Sequence, residues 1–198
     1  MSSEAAKLKK FNGCDIRVVK CDAAEHIDTR HMVGAILLSC KPRLGGVWHA
    51  AGVLSDGLLH SQNFQSFKRV YAPKAYGAWA LHEMLTTSPL HACVLFSSVA
   101  ALLGGAGQSN YSAANCCLDA TSSLRRSVGL AASSIQWGPW ADVGMAAEGS
   151  INARMQASGI GLITLADGAN AFVSAMSPGG PVVQTMVLMK WGLSLIHI

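Results

Sequence analysis

Ser98, Tyr111, Asn115 and Lys74 have the types and spacing that carbonyl chemistry requires. Tyr111 and Asn115 stand four apart in a segment of helical pattern, so they share one face. Ser98 lies at the end of the preceding apolar run, and the Gly104 to Gly107 stretch lets the chain fold back between them. Reduction of a carbonyl needs a proton donor, a hydrogen bond to the carbonyl oxygen and a source of hydride. A tyrosine donates efficiently only when its pKa, about 10 unperturbed, is lowered. A lysine ammonium nearby favours the phenolate and lowers it. Taken singly, each residue has a plainer reading: a turn serine, a surface tyrosine, a helix asparagine and a solvated lysine. Their joint arrangement is what points to a site.

The elements that must position these residues alternate in type. Helical patterns cover Ser3 to Phe11, His26 to Ser39, Phe64 to Leu85 and Tyr111 to Val128, with Pro73 expected to disturb the third. Short apolar or β-branched runs at Asp15 to Cys21, Gly46 to His49, His91 to Phe96, Ala132 to Trp137 and Pro181 to Leu188 read as strands. Gly138 to Gly161 reads as a loop with one or two short helices. Strand–helix alternation predicts an α/β fold with a parallel sheet. In such sheets ligands collect at the carboxyl ends of strands. Those ends are Asp22, His49 to Gly52, Ser97-Ser98 and Gly138-Pro139.

Composition excludes other classes. With 51% hydrophobic and 13% charged residues among 198, the chain must bury a core and is not disordered. The net charge of +4 is scattered apart from Lys7, Lys9 and Lys10, which read as a solvated face, so no nucleic-acid partner is expected. Six cysteines and seven histidines show no ligand spacing, so no metal site is expected. Unpaired cysteines in apolar runs favour an intracellular, reducing compartment, cytoplasm or plastid. Met84 to Leu118 has no charged residue, but polar residues and glycines interrupt it, so no membrane span is expected.

Six motifs in order resemble the short-chain dehydrogenase/reductases, and within them the ketoreductase domains of polyketide and animal-type fatty acid synthases. They are Cys21-Asp22, Gly46-Val-Trp-His-Ala-Ala-Gly52, Ala72-Pro-Lys-Ala-Tyr-Gly77, Phe96-Ser-Ser98, Gly107-Gln-Ser-Asn-Tyr-Ser-Ala-Ala-Asn115 and Trp137-Gly-Pro-Trp140. Most free-standing members of the superfamily carry lysine where Asn115 stands. The upstream Lys74 with Asn115 resembles the synthase-embedded enzymes instead. The resemblance implies NADPH-dependent reduction of a β-ketoacyl group carried on the phosphopantetheine of an acyl carrier protein, alongside other synthase domains. It makes Tyr111 the proton donor, and Ser98 the group that polarises the carbonyl. Lys74 would hold the nicotinamide ribose and depress the tyrosine pKa, and Asn115 would support a proton relay. Asp22 would lie near the adenine, Ala50, Ala51 and Gly52 along the cofactor path, and Gly138 and Pro139 near the nicotinamide. Asp56, ending Leu54-Ser55-Asp56, and Leu103, where domains of opposite preference have tryptophan, would orient the substrate toward a D-configured hydroxyl.

Two departures from the family pattern shape the expected architecture. No GxGxxG phosphate loop occurs, and the chain starts in what resembles the second helix. The fold is therefore expected to be a truncated Rossmann-like doubly wound parallel sheet lacking the first two strands. Without those strands Asp15 to Cys21 would lack a pairing neighbour, and the isolated chain would bind NADPH poorly and be inactive. Residues 1–192 are assigned to a partial ketoreductase domain. Residues 193–198 depart from the family pattern and resemble a translated transposase end sequence, so they are set apart as a non-native tail, with a genuine apolar tail as the alternative. A stand-alone short-chain dehydrogenase and a non-catalytic fragment remain the other readings of function.

Overall fold

The computed structural model describes residues 17–39, 43–141 and 150–190. The expected helix at Ser3 to Phe11 and the tail at 193–198 lie outside the described residues. In chain order the elements are α1 (His26–Ser39), β1 (Gly46–His49), α2 (Phe64–Tyr71), a π-helical segment (Ala72–Tyr76), α3 (Gly77–Met84), β2 (Ala92–Ser98), α4 (Ala100–Leu103), α5 (Ser109–Ser127), β3 (Ser133–Trp137), α6 (Ser150–Ala157), β4 (Ile160–Gly161), α7 (Leu165–Met176), β5 (Val183–Met186) and β6 (Leu188–Met189). A 3₁₀ turn occupies Leu59–Ser61.

The main sheet has the order β1-β2-β3-β5, and every pair in it is parallel. Strand β2 shows why it is central. Alternate residues face opposite sides, and both sides are covered. Cys93 and Leu95 pack with Ala78 of α3 and Leu118 of α5. Val94 packs with Ile135 and with Ala171 and Ala175 of α7. Helices therefore cover both faces, which makes the sheet doubly wound, as expected. A small antiparallel pair, β4 with β6, stands apart from it.

Pro73 disturbs its helix as expected, and the form of the disturbance is a π-helical turn between α2 and α3. Proline has no N–H and its ring crowds the preceding turn; widening the helix by one residue accommodates both. Two expectations need correction. Arg17 to Cys21 form no strand, and Val18 and Val19 are 69% and 67% exposed. A β-branched run has no ladder without a partner strand, and among the described residues β1 bonds only to β2. Helix α7 was not expected at all. Its start is fixed by a capping box, in which Thr164 accepts from the Asp167 amide at 3.2 Å and the Asp167 carboxylate accepts from the Thr164 amide at 3.2 Å.

Candidate active site at the carboxyl edge of the sheet

The carboxyl ends of β1, β2 and β3 lie side by side. His49 pairs with Leu95, and Ser98 pairs with Trp137. Ala50 to Gly52, Val99 and Gly138-Pro139 therefore leave the sheet along one edge. Helix α5 begins above this edge because the preceding turn uses left-handed backbone at Gly104 (φ 73°) and Gly107 (φ 75°). The Gly107 carbonyl accepts from the Gly57 amide at 2.8 Å, which ties this turn to the loop after β1.

Tyr111 on the first turns of α5 and Lys74 in the π-helical segment meet here. Lys74 is 3% exposed. Its Nζ donates to the Phe96 carbonyl at 2.9 Å and stands 5.3 Å from the centroid of the Tyr111 ring. Burial lowers its pKa from the usual 10.5 to about 8, against the opposing pull of Asp119. The lysine stem runs against Gly52, where a Cβ would come within 2.8 Å of Lys74 Cε. A side chain at position 52 would make the lysine stem shift.

Burial pushes the Tyr111 phenol above its usual 10. The side chains of Ser98 and Asn115 are within polar reach of it and pull the other way, while the nearby Asp56 adds to the rise. The expected lysine-driven depression is therefore corrected. The ammonium lies over the ring and is engaged by Phe96, and desolvation of the phenol outweighs the hydrogen bonds. Asn115 is fully buried. Its Nδ2 donates to the Tyr111 carbonyl at 2.8 Å, and its Oδ1 has no partner. The Ser98 hydroxyl accepts from the Ala100 amide at 3.2 Å, which orients it at the start of α4. Lys74, Ser98, Tyr111 and Asn115 thus form one cluster.

The other expected site residues surround it. Gly138 is packed against the Met186 carbonyl, which a Cβ would meet at 3.1 Å. Its amide donates to that carbonyl at 2.8 Å, and the Pro139 carbonyl accepts from the Ile163 amide at 2.8 Å. Asp56 accepts from Gln108 Nε2 at 3.1 Å. Leu103, at the end of α4, is 57% exposed and lines a cleft of about 600 Å³ with Gln108 and with Met155 and Ala157 of α6. Asp22 is exposed and engaged locally, accepting from the Ala24 amide at 2.9 Å just before α1. Ala50 is exposed, and Ala51 is half-buried.

Two buried residues of this region had no role assigned from the sequence. Asn110, fully buried, donates through Nδ2 to the Ser55 carbonyl at 2.9 Å, Gln62 Oε1 at 3.1 Å and the Ser66 carbonyl at 3.3 Å. Its Oδ1 accepts from the Tyr111 amide at 2.7 Å. His49 lies 3.0 Å, Nε2 to O, from the Lys74 carbonyl. Polar residues inside the motifs were the available signal, but the partners are distant in sequence. Among the described residues no group of His, Cys, Asp and Glu could hold a metal ion, and no helix is long and apolar enough to cross a membrane.

The family model described as the KR domain matches residues 1–142. The spectinabilin polyketide synthase system protein NorB of Streptomyces orinoci is 39% identical over 180 residues, 89% of this chain and 8% of that protein. The erythronolide synthase EryA2 of Saccharopolyspora erythraea is 37% identical over 171 residues, 86% of this chain and 5% of that protein. A solved structure described as A-type ketoreductases from a modular polyketide synthase superimposes with a TM-score of 0.88 at 32% identity, covering 98% of this chain and 41% of that one.

Proposed function

The chain belongs to the KR domain family, and from that premise we propose that it serves, within a polyketide synthase, in the NADPH-dependent reduction of a β-ketoacyl group on an acyl carrier protein to a β-hydroxyacyl group. The observation that carries this reading is the cluster of Lys74, Ser98, Tyr111 and Asn115 at the carboxyl edge of a parallel sheet. Lysine on a separate helical segment, with Asn115 four residues after the tyrosine, disfavours the stand-alone dehydrogenase. The acyl carrier protein and the neighbouring synthase domains are the partners this reading requires.

The residues present fit the nicotinamide end of the cofactor. An ammonium has three N–H donors, of which Phe96 takes one. The remaining hydrogens suit a ribose diol. The buried, unpartnered Oδ1 of Asn115 is an acceptor awaiting a donor, which suits a water or hydroxyl relay. Gly52, Ala50, Ala51, Gly138 and Pro139 leave the strand ends open to a ring, and Asp22 stands at the start of α1, on the adenine side. When bound, NADPH supplies hydride to the carbonyl carbon. Ser98 holds the carbonyl oxygen, and Tyr111 gives that oxygen its proton. Asn115 and Lys74 return a proton toward the phenol. With its pKa raised by burial, Tyr111 carries its proton as a neutral phenol, the form a proton donor must have.

Tyr111→Phe in the parent synthase is expected to slow reduction of a β-ketoacyl thioester by about 10²-fold or more, the usual scale for general acid catalysis. Near-wild-type turnover would remove the assignment. The same reaction, analysed by chiral chromatography, is expected to give the D-configured (typically 3R) alcohol. The Asp56–Gln108 contact on one wall and the open Leu103 on the other support entry of the acyl arm from the Asp56 side. A predominantly L-configured product would reverse the orientation proposed for the arm.

A further inference from the structure

His49 ends β1 and is 5% exposed. Its Nε2 lies 3.0 Å from the carbonyl oxygen of Lys74. A carbonyl can only accept, so Nε2 carries the hydrogen and donates. The accepting carbonyl sits in the π-helical segment, where hydrogen bonding is already irregular. Pro73 brings no N–H, and the Gly77 amide is shared between the carbonyls of Ala72 and Lys74. The imidazole adds a side-chain donor to this buried backbone carbonyl. Gly77 permits the approach, since a Cβ there would meet the Ala23 carbonyl at 2.7 Å and His49 Cε1 at 3.0 Å.

Resting on the ketoreductase reading, we propose that His49 is a positioning residue for Lys74. By holding the lysine's own carbonyl, it fixes the backbone from which the side chain departs past Gly52. It thereby keeps Nζ on Phe96 and over the Tyr111 ring. The imidazole is not a catalytic residue; it acts through Lys74. Burial keeps the ring neutral by lowering its pKa, and the lysine charge adds to that effect. Beyond His49, the charged group that moves the lysine is Asp119, which favours the ammonium.

Nitrogen-15 NMR of the unmutated, folded chain gives a direct test, because it reports which ring nitrogen of His49 carries the proton. The Nε2–H tautomer is expected; an Nδ1–H tautomer with bare Nε2 overturns the proposal. A second measurement follows the Lys74 titration by carbon-13 labelling of lysine in two variants. In His49→Phe the freed side chain reaches water, and its midpoint is expected to move from about 8 toward the ordinary 10.5. In His49→Gln, which keeps an N–H donor, the midpoint is expected to stay near that of the unmutated chain. A loss of stability alone lowers the melting temperature without moving the Lys74 midpoint, so an unchanged midpoint in folded His49→Phe refutes the positioning role. In the parent synthase, His49→Phe is expected to lower kcat roughly 10- to 100-fold, the scale of a misplaced catalytic group. Both NMR readouts need no turnover, so they stand apart from the Tyr111→Phe experiment, whose failure would remove only the ketoreductase reading.

Discussion

A lysine 3% exposed is charged only at a cost, and Lys74 makes that cost measurable. Its pKa is about 8 in the folded chain against 10.5 for an ordinary lysine. Between these values the unfolded chain binds the extra proton, so the contribution of Lys74 to stability rises with pH across that window. Below pH 8 the full burial penalty is present, and above 10.5 it is gone. The shift corresponds to about 3 kcal/mol at 1.36 kcal/mol per unit. Tyr111, Tyr71 and Cys93, whose pKa values are raised, titrate in the opposite sense. The difference between the unmutated chain and Lys74→Met therefore isolates the lysine. Denaturant unfolding is expected to show Lys74→Met the more stable of the two below pH 8, with the gap closing by pH 10.5; curves that run parallel from pH 7 to 10.5 would contradict the assignment. That Lys74, Ser98, Tyr111 and Asn115 come together was legible from residue type, spacing and family pattern. The sign of the tyrosine shift was not, because it depends on how deeply α5 buries the ring.

Element boundaries were legible where a strand is buried on both faces or a helix is long. Strands β1, β2, β3 and β5 fall within or beside the runs read from the sequence. Helix α7 escaped because Gly168 and Asn170 dilute its apolar pattern, although Thr164 followed by Asp167 was a readable start signal. Gly168 is there for packing, since a Cβ at that position would run into the Trp140 ring. Asn110 escaped for a different reason, in that its partners at Ser55, Gln62 and Ser66 are more than forty residues upstream. It joins the start of α5 to the loop after β1 and to α2, as the Gly57–Gly107 bond does nearby. Replacing it with alanine takes a donor from the part-buried Ser55 and Ser66 carbonyls and the acceptor from the buried Tyr111 amide, at about 1–3 kcal/mol for each group left unsatisfied. Asn110→Ala is thus expected to destabilise the fold by about 3 kcal/mol or more in denaturant unfolding. A change below about 1 kcal/mol would mean that water takes over its role.

At the scale of the whole molecule, β1 is an edge of the described sheet and presents Trp48, 48% exposed, beside a strand bonded on one side only. Open edges with apolar side chains template association. The chain expressed by itself is expected to self-associate with rising concentration in light scattering, and Trp48→Lys to reduce that tendency. A monodisperse monomer across the whole concentration range would show that this edge is inert. The site has its own whole-molecule character. Most of its relatives outside the synthases, by the family pattern, set lysine and tyrosine on a single helix, where backbone rise fixes the spacing. Here Lys74 and Tyr111 sit on different segments, and the 5.3 Å between ammonium and ring is kept by the packing of α2, α4 and the π-helical segment against α5, with Val70, Ala100 and Ala114 in one buried cluster around Tyr111. The pair works like a bearing between two parts and not like a feature cut into one. Its clearance rests on that packing, so a change of side-chain size at Val70 or Ala114 would shift the distance between ammonium and ring while leaving both partners untouched.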